Sequence, residues 1–146
     1  MKKSYLWAIS LALVASAAFA GTIPADDPNI QYIGRVDCSD REAPLISWPG
    51  PAVRANFTGT SLKVTLRDEE GDKGGNMFNV FIDGNYDEGH VINCTKGEST
   101  YTVATGLEDK THELLLAKRT EGEQGNTVFL GLELVSSAWS WTTAPR

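Results

Sequence analysis

From Ser61 to Arg67 the chain alternates strictly: Leu62, Val64 and Leu66 fall on one side, Lys63, Thr65 and Arg67 on the other. Successive side chains point to opposite faces only in extended backbone, so this stretch is a half-buried strand. The same period runs through 52–57, where Gly59-Thr60 can turn the chain back into the next strand. Residues 78–82 form a compact apolar run that ends at Asp83-Gly84, a strong turn signal. Weaker strands fall at 91–92 and 101–103, and two more at 112–118 and 127–135. In the last of these, Val128, Leu130, Leu132 and Leu134 are expected to share a face, with Gly131 and Glu133 opposite. No stretch of helical length carries an apolar stripe at three- and four-residue spacing. The interruptions carry glycine, at 71, 74, 75, 84, 89, 97, 106, 122 and 125. About eight or nine short antiparallel strands with such punctuation specify an all-β sandwich or barrel.

The first residues stand apart from this pattern. Lys2 and Lys3 precede a mostly apolar run, and Ala18-Phe19-Ala20 has the small-x-small form of a signal-peptidase site. Residues 1–20 read as a secretory signal cleaved after Ala20, residues 21–29 as a flexible leader, and 30–136 as the sandwich. The apolar run is shorter than the roughly 20 residues a membrane span needs, so no membrane contact is expected after cleavage. A secreted or periplasmic protein is expected. The full chain carries a net charge of −6, and loss of Lys2 and Lys3 makes it more acidic. Such a surface repels phosphate backbones and anionic membranes, which argues against nucleic acid as a partner; neutral polysaccharide stays open.

Export permits a disulfide between Cys38 and Cys94, the chain's two cysteines; two buried free thiols are the alternative. With His90 and His112 they lack zinc-site spacing, and no cofactor is expected. The acidic run 68–72 could attract calcium, but its order is not that of an EF-hand loop, and a solvated hairpin tip is the favoured reading. Neither a Gly-x-Ser-x-Gly elbow nor a Gly-Asp-Ser block occurs, and the two histidines are the only imidazole bases, so no catalytic residue is assigned. Asn56-Phe57-Thr58 and Asn93-Cys94-Thr95 are formal glycosylation sequons.

The aromatic residues carry more information. Trp139 and Trp141 are two apart, so in extended backbone their rings face the same way and can pack on a second domain or stack on sugar. Trp48, in Ser47-Trp48-Pro49-Gly50, is expected in the core, with an exposed platform as the alternative.

Six strings then occur in order: 32–37 (Tyr-Ile-Gly-Arg-Val-Asp), 47–50 (Ser-Trp-Pro-Gly), 57–61 (Phe-Thr-Gly-Thr-Ser), 78–84 (Phe-Asn-Val-Phe-Ile-Asp-Gly), 116–121 (Leu-Ala-Lys-Arg-Thr-Glu) and 131–134 (Gly-Leu-Glu-Leu). Together they resemble the N-terminal jelly-roll domain of carbohydrate esterase family 2, the acetylxylan-esterase-like enzymes. The resemblance implies a jelly-roll sandwich followed by an SGNH-type hydrolase domain that deacetylates plant polysaccharides. That domain's nucleophile has no matching position in this chain. It also implies that 137–146 is a linker toward the hydrolase, with Trp139 and Trp141 lying against it and the loop bearing Arg119 and Glu121 as a second interface candidate. Three readings follow: a non-catalytic module of an exported esterase, a free-standing carbohydrate-binding module, or a structural exported domain.

Overall fold

The computed structural model describes residues 19–69 and 74–136. In chain order its strands are β1 (Phe19–Pro24), β2 (Ile30–Ile33), β3 (Leu45–Ile46), β4 (Ala52–Gly59), β5 (Ser61–Asp68), β6 (Met77–Ile82), β7 (His90–Asn93), β8 (Gly97–Ala104), β9 (Lys110–Lys118) and β10 (Thr127–Ser136). A 3-10 turn, Gly122–Gln124, precedes β10. The expected all-β jelly-roll sandwich forms. One antiparallel sheet runs β1-β10-β5-β8, with β3 also paired to β10; the other runs β2-β4-β9-β6-β7. Among the described residues no helix is long and apolar enough to cross a membrane.

The core is what alternation demands. Leu62, Val64 and Leu66 of β5 meet Val53, Ala55 and Phe57 of β4 and Leu114 and Leu116 of β9, all buried. Tyr32 of β2 meets Phe129 of β10 edge to face, centroids 5.9 Å apart, and ties the sheets together. The Asp83-Gly84 turn forms where expected: β6 stops at Ile82, and both turn residues have positive φ.

Two expectations are corrected. The segment 21–29 is not a flexible leader. Gly21 to Pro24 pair with Leu134 to Gly131 at the edge of the β5 sheet, and Ile23 and Ala25 are buried. An edge strand needs few residues when one of them fills the core, and here Ile23 does. The rest is held by a turn: Ile30 N–H donates to the Asp27 carbonyl, Asn29 N–H to the Asp27 carboxylate, and the Tyr32 hydroxyl to the Ala25 carbonyl at 2.6 Å. The second correction concerns β10. Phe129 pairs with Leu66 and Gly131 with Thr65, so Leu130 is an extra residue in a β-bulge. The bulge shifts the phase, and Phe129, Leu132 and Leu134 enter the core while Leu130 does not.

The signal segment upstream of residue 19 and the tip of the acidic loop, 70–73, lie outside the described residues, as do Trp139 and Trp141.

Candidate functional site

At one end of the sandwich the last inward position of β9 is a lysine. Lys118 follows Leu114 and Leu116 in alternation and is as buried as they are. A buried ammonium is costly unless each donor finds a partner. Its Nζ donates to the carbonyls of Ser47 and Gly125, both at 2.9 Å. Its backbone holds the same loop: Lys118 N–H donates to the Pro51 carbonyl, and Gly50 N–H to the Lys118 carbonyl. Burial lowers the Lys118 pKa below the ordinary lysine value, with the negative charge of Asp68 opposing the shift.

Asp68 is the acidic centre of this end, and it is buried rather than part of a solvated tip. Its Oδ1 accepts from Asn76 Nδ2 at 2.7 Å and from the Thr127 hydroxyl at 2.9 Å, and its Oδ2 accepts from Asn76 N–H. The Thr120 hydroxyl donates to Asn76 Oδ1 at 2.7 Å, and Asn76 Nδ2 also reaches the Gln124 carbonyl. Glu69 is exposed and accepts from Asn126 Nδ2. No group of three or more potential metal ligands occurs among the described residues.

This network presents Trp48. The expectation of a core residue is corrected: Trp48 is 53% exposed. The strand that would carry it inward ends at Ile46, and Ile46 takes the core position instead. The Arg35 guanidinium carbon lies 5.7 Å from the ring centroid, within cation–π range. Gly34, Arg35, Trp48, Pro49, Gly50 and Pro51 line an open cavity of about 400 Å³. The loop bearing Arg119 and Glu121, both exposed, reaches Trp48 at Gly122, where an added Cβ would stand 3.6 Å from the indole. The structure therefore brings Trp48 and the 119–122 loop together. It places the strand leading to 137–146 at the other end: Thr127 pairs with Ile46 beside Trp48, whereas Ser136 lies about 30 Å further along β10.

The other candidate residues fall elsewhere. Both cysteines are free, so of the two alternatives the structure holds the free thiols, Cys38 exposed and only Cys94 buried. Cys38 is exposed in the loop before β3, beside Tyr32, Arg41 and Pro44. Cys94 is buried after β7, and burial, reinforced by the charge of Asp68, pushes its thiol up to about 12. His112 is buried with both ring nitrogens engaged: Nδ1 meets Asp83 Oδ2 at 2.7 Å and Nε2 meets the Glu108 carbonyl at 2.8 Å. A carboxylate and a carbonyl both accept, so the ring is a doubly donating imidazolium. Burial opposes that charge, but the Asp83 bond, the Glu108 carbonyl and the Asp83 charge outweigh it and raise the His112 pKa. Neither nitrogen is left to activate a nucleophile. His90 is exposed at the start of β7.

The strand order and the Trp48 loop now have a sequence counterpart, because residues 32–139 match the carbohydrate esterase 2 N-terminal family. The chain belongs to this family. Over 111 residues it is 39% identical to the cellulase/esterase CelE of Acetivibrio thermocellus, a match that covers 76% of this chain and 13% of CelE. A family two carbohydrate esterase from Clostridium thermocellum, solved with cellohexaose, aligns at a TM-score of 0.66 and 34% identity, covering 80% of this chain and 34% of that one. A family two carbohydrate esterase from Cellvibrio japonicus shares the fold at a TM-score of 0.76 and 22% identity, over 89% of this chain and 37% of that one. This family member therefore spans about a third of the solved esterases and a smaller share of CelE.

The alternation of His112, Leu114, Leu116 and Lys118 is the sequence signal for a buried lysine on β9. Asp68 had a signal too, as the inward residue that follows Leu66 by two. Asn76 and Thr120 had none, because they meet only through the fold.

Proposed function

We propose that this chain is the non-catalytic N-terminal sandwich of an exported, acetylxylan-type carbohydrate esterase. It supports a separate SGNH-type hydrolase domain that removes acetyl groups from plant polysaccharides. One observation carries this reading: 80–89% of this chain aligns with about a third of two solved family two esterases. The remaining two thirds of those enzymes is where a hydrolase domain would reside. The secretory pattern at 1–20 supports a secreted or periplasmic location. On this reading residues 137–146, outside the described residues, are the linker, with Trp139 and Trp141 as candidates for contact with the hydrolase domain.

The test is an aryl-acetate assay with fluorophosphonate labelling, on the chain alone and on the chain mixed with a family two hydrolase domain. The chain alone should neither turn over ester nor label, and mixing should raise its melting midpoint. A serine labelled on the purified chain would overturn the reading.

A second reading, a free-standing carbohydrate-binding module, is favoured by one further likeness. The carbohydrate-binding module CBM36, solved with calcium and xylotriose, matches this fold at a TM-score of 0.55 over 99% of its own length, at 11% identity.

A further inference from the structure

The two solvent faces of the sandwich differ in composition. On the β5 sheet the outward residues are polar and answer one another across strands. Arg67 stands opposite Glu98, Lys63 opposite Glu133 on one side and Thr102 on the other, and the Thr65 and Thr100 hydroxyls hydrogen-bond at 2.9 Å. That is the ordinary solvated face of an antiparallel sheet.

The outer face of the β9 sheet departs from this. One register row crosses all five strands as Ile33, Ala52, Ala117, Asn79 and Val91, and the next runs Gln31, Arg54, Leu115 and Phe81. With strands about 4.8 Å apart, the first row is about 19 Å long. Most of its members are apolar; Ile33 is exposed, Ala117, Asn79 and Val91 are half-buried, and Ala52 is buried between its neighbours. Among the described residues the exposed large hydrophobics are Ile33, Trp48 and Tyr86, and all three border this face. Ile33 begins the first row. Trp48 shares its cavity with Gly34 and Pro51, the neighbours of Ile33 and Ala52. Tyr86 packs edge to face on Phe81, centroids 5.0 Å apart.

Hydrogen-bonding groups are set among these apolar surfaces and left without a hydrogen-bond partner among the described residues. The side chains of Gln31, Asn56 and Asn79, all half-buried, make no hydrogen bond among the described residues. Arg54 Nε is shielded from solvent without an acceptor, the Glu113 carboxylate standing 3.7 Å away. Within its strands Arg54 and Glu113 offset each other, and the Arg35 guanidinium lies at the Trp48 margin, so this face carries no acidic excess on a chain of net charge −6.

We propose that the outer face of the β2-β4-β9-β6-β7 sheet is a binding platform for a neutral polysaccharide chain. Pyranose rings offer apolar C–H faces ringed by hydroxyls. Apolar rows with Trp48 and Tyr86 at their margins receive the former, and the amides and the Arg54–Glu113 pair receive the latter. A neutral occupant fits the charge; a polyanion meets an acidic protein. The proposal goes beyond the esterase reading and needs no hydrolase domain.

Affinity electrophoresis of the full chain through gels holding xylan, glucomannan, hydroxyethyl cellulose or polygalacturonate tests it. Retardation is expected on at least one neutral polymer and none on polygalacturonate. Tyr86→Ala and Asn79→Ala should each weaken association about tenfold. Thr100→Ala, on the opposite face, should migrate like the original. Absence of retardation on every neutral polymer would overturn the proposal, as would retardation that ignores both face substitutions. So would face variants that bind glycan normally but lose association with a hydrolase domain, since the face would then be an interdomain surface. Loss of glycan binding alone leaves the esterase-module reading intact, because that reading is judged by ester turnover and labelling.

Discussion

The Lys118 ammonium donates a 2.9 Å hydrogen bond to the carbonyl oxygen of Ser47, the residue that precedes the exposed Trp48. A cation in the protein interior thereby fixes an aromatic ring at its surface. Lys118→Met keeps the apolar stem but removes the terminal ammonium, and so strands two carbonyls, those of Ser47 and Gly125, without a donor. A stranded buried group costs about 1–3 kcal/mol; both carbonyls are only part-buried and can recruit water, so the variant should lose about 1–3 kcal/mol in all. Urea unfolding at neutral pH measures this, and a loss below about 0.5 kcal/mol would mean that the lysine does not hold the loop.

His112 and Asp83 predict a pH window. The folded pKa of His112 is raised above 6.5, so its contribution is whole below that value and disappears as pH climbs through the folded pKa. The folded pKa of Asp83 is lowered from 3.8, against a burial effect that acts the other way, by its bonds to His112 and to Glu113 N–H. Its contribution is present above 3.8 and is lost as pH falls through the lowered value. The pair therefore stabilises most between about pH 4 and 6.5. The melting-point gap between the wild type and Asp83→Asn should be widest there and narrow toward pH 9. Asp83 is half exposed, so solvent screening keeps the effect modest. A gap that stays constant from pH 5 to 9 would count against a charged His112.

Much of this architecture was readable from alternation alone, and the misses share a cause. Leu62, Val64 and Leu66 announce β5 because a single period governs the whole strand. In β10 the extra Leu130 breaks the period, and no local residue pattern says whether Phe129 or Leu130 turns inward. The run Leu114-Leu115-Leu116 hides its outward member for a related reason: three identical residues do not reveal which faces solvent. Pro24, Asp26 and Asp27 look like linker chemistry, yet an edge strand tolerates a proline at its end, and one buried isoleucine suffices to dock it. Trp48 is large and apolar, which favours burial, but its exposure is decided by where β3 stops, a tertiary fact. The Asp68, Asn76 and Thr120 contacts span separations in sequence that no motif encodes.

Gly131 should tolerate no side chain. Its φ is +133°, and an added Cβ would sit 2.3 Å from the Ile23 carbonyl oxygen of the neighbouring strand. Gly131→Ala must strain β10 or push β1 away, and either costs about 2 kcal/mol or more. Detachment of β1 would uncover Ile23 and open residues 21–29 to protease. Limited proteolysis should cut the variant within that segment while the wild type resists. Equal resistance in both would show that β1 is not held at this contact.

The cysteines give the last prediction, which turns on their unlike surroundings. Cys38 is exposed, so a maleimide should modify it in the native protein. Cys94 is buried, and its thiol is pushed up to about 12 by burial and by the charge of Asp68, so almost no thiolate is present at neutral pH. Native protein should therefore accept one label, and denatured protein a second without any reductant. Cys94→Ser should leave native labelling unchanged, because the reactive group is Cys38, and Cys38→Ser should abolish it. If neither thiol reacts in denaturant until a reductant is added, the two are joined.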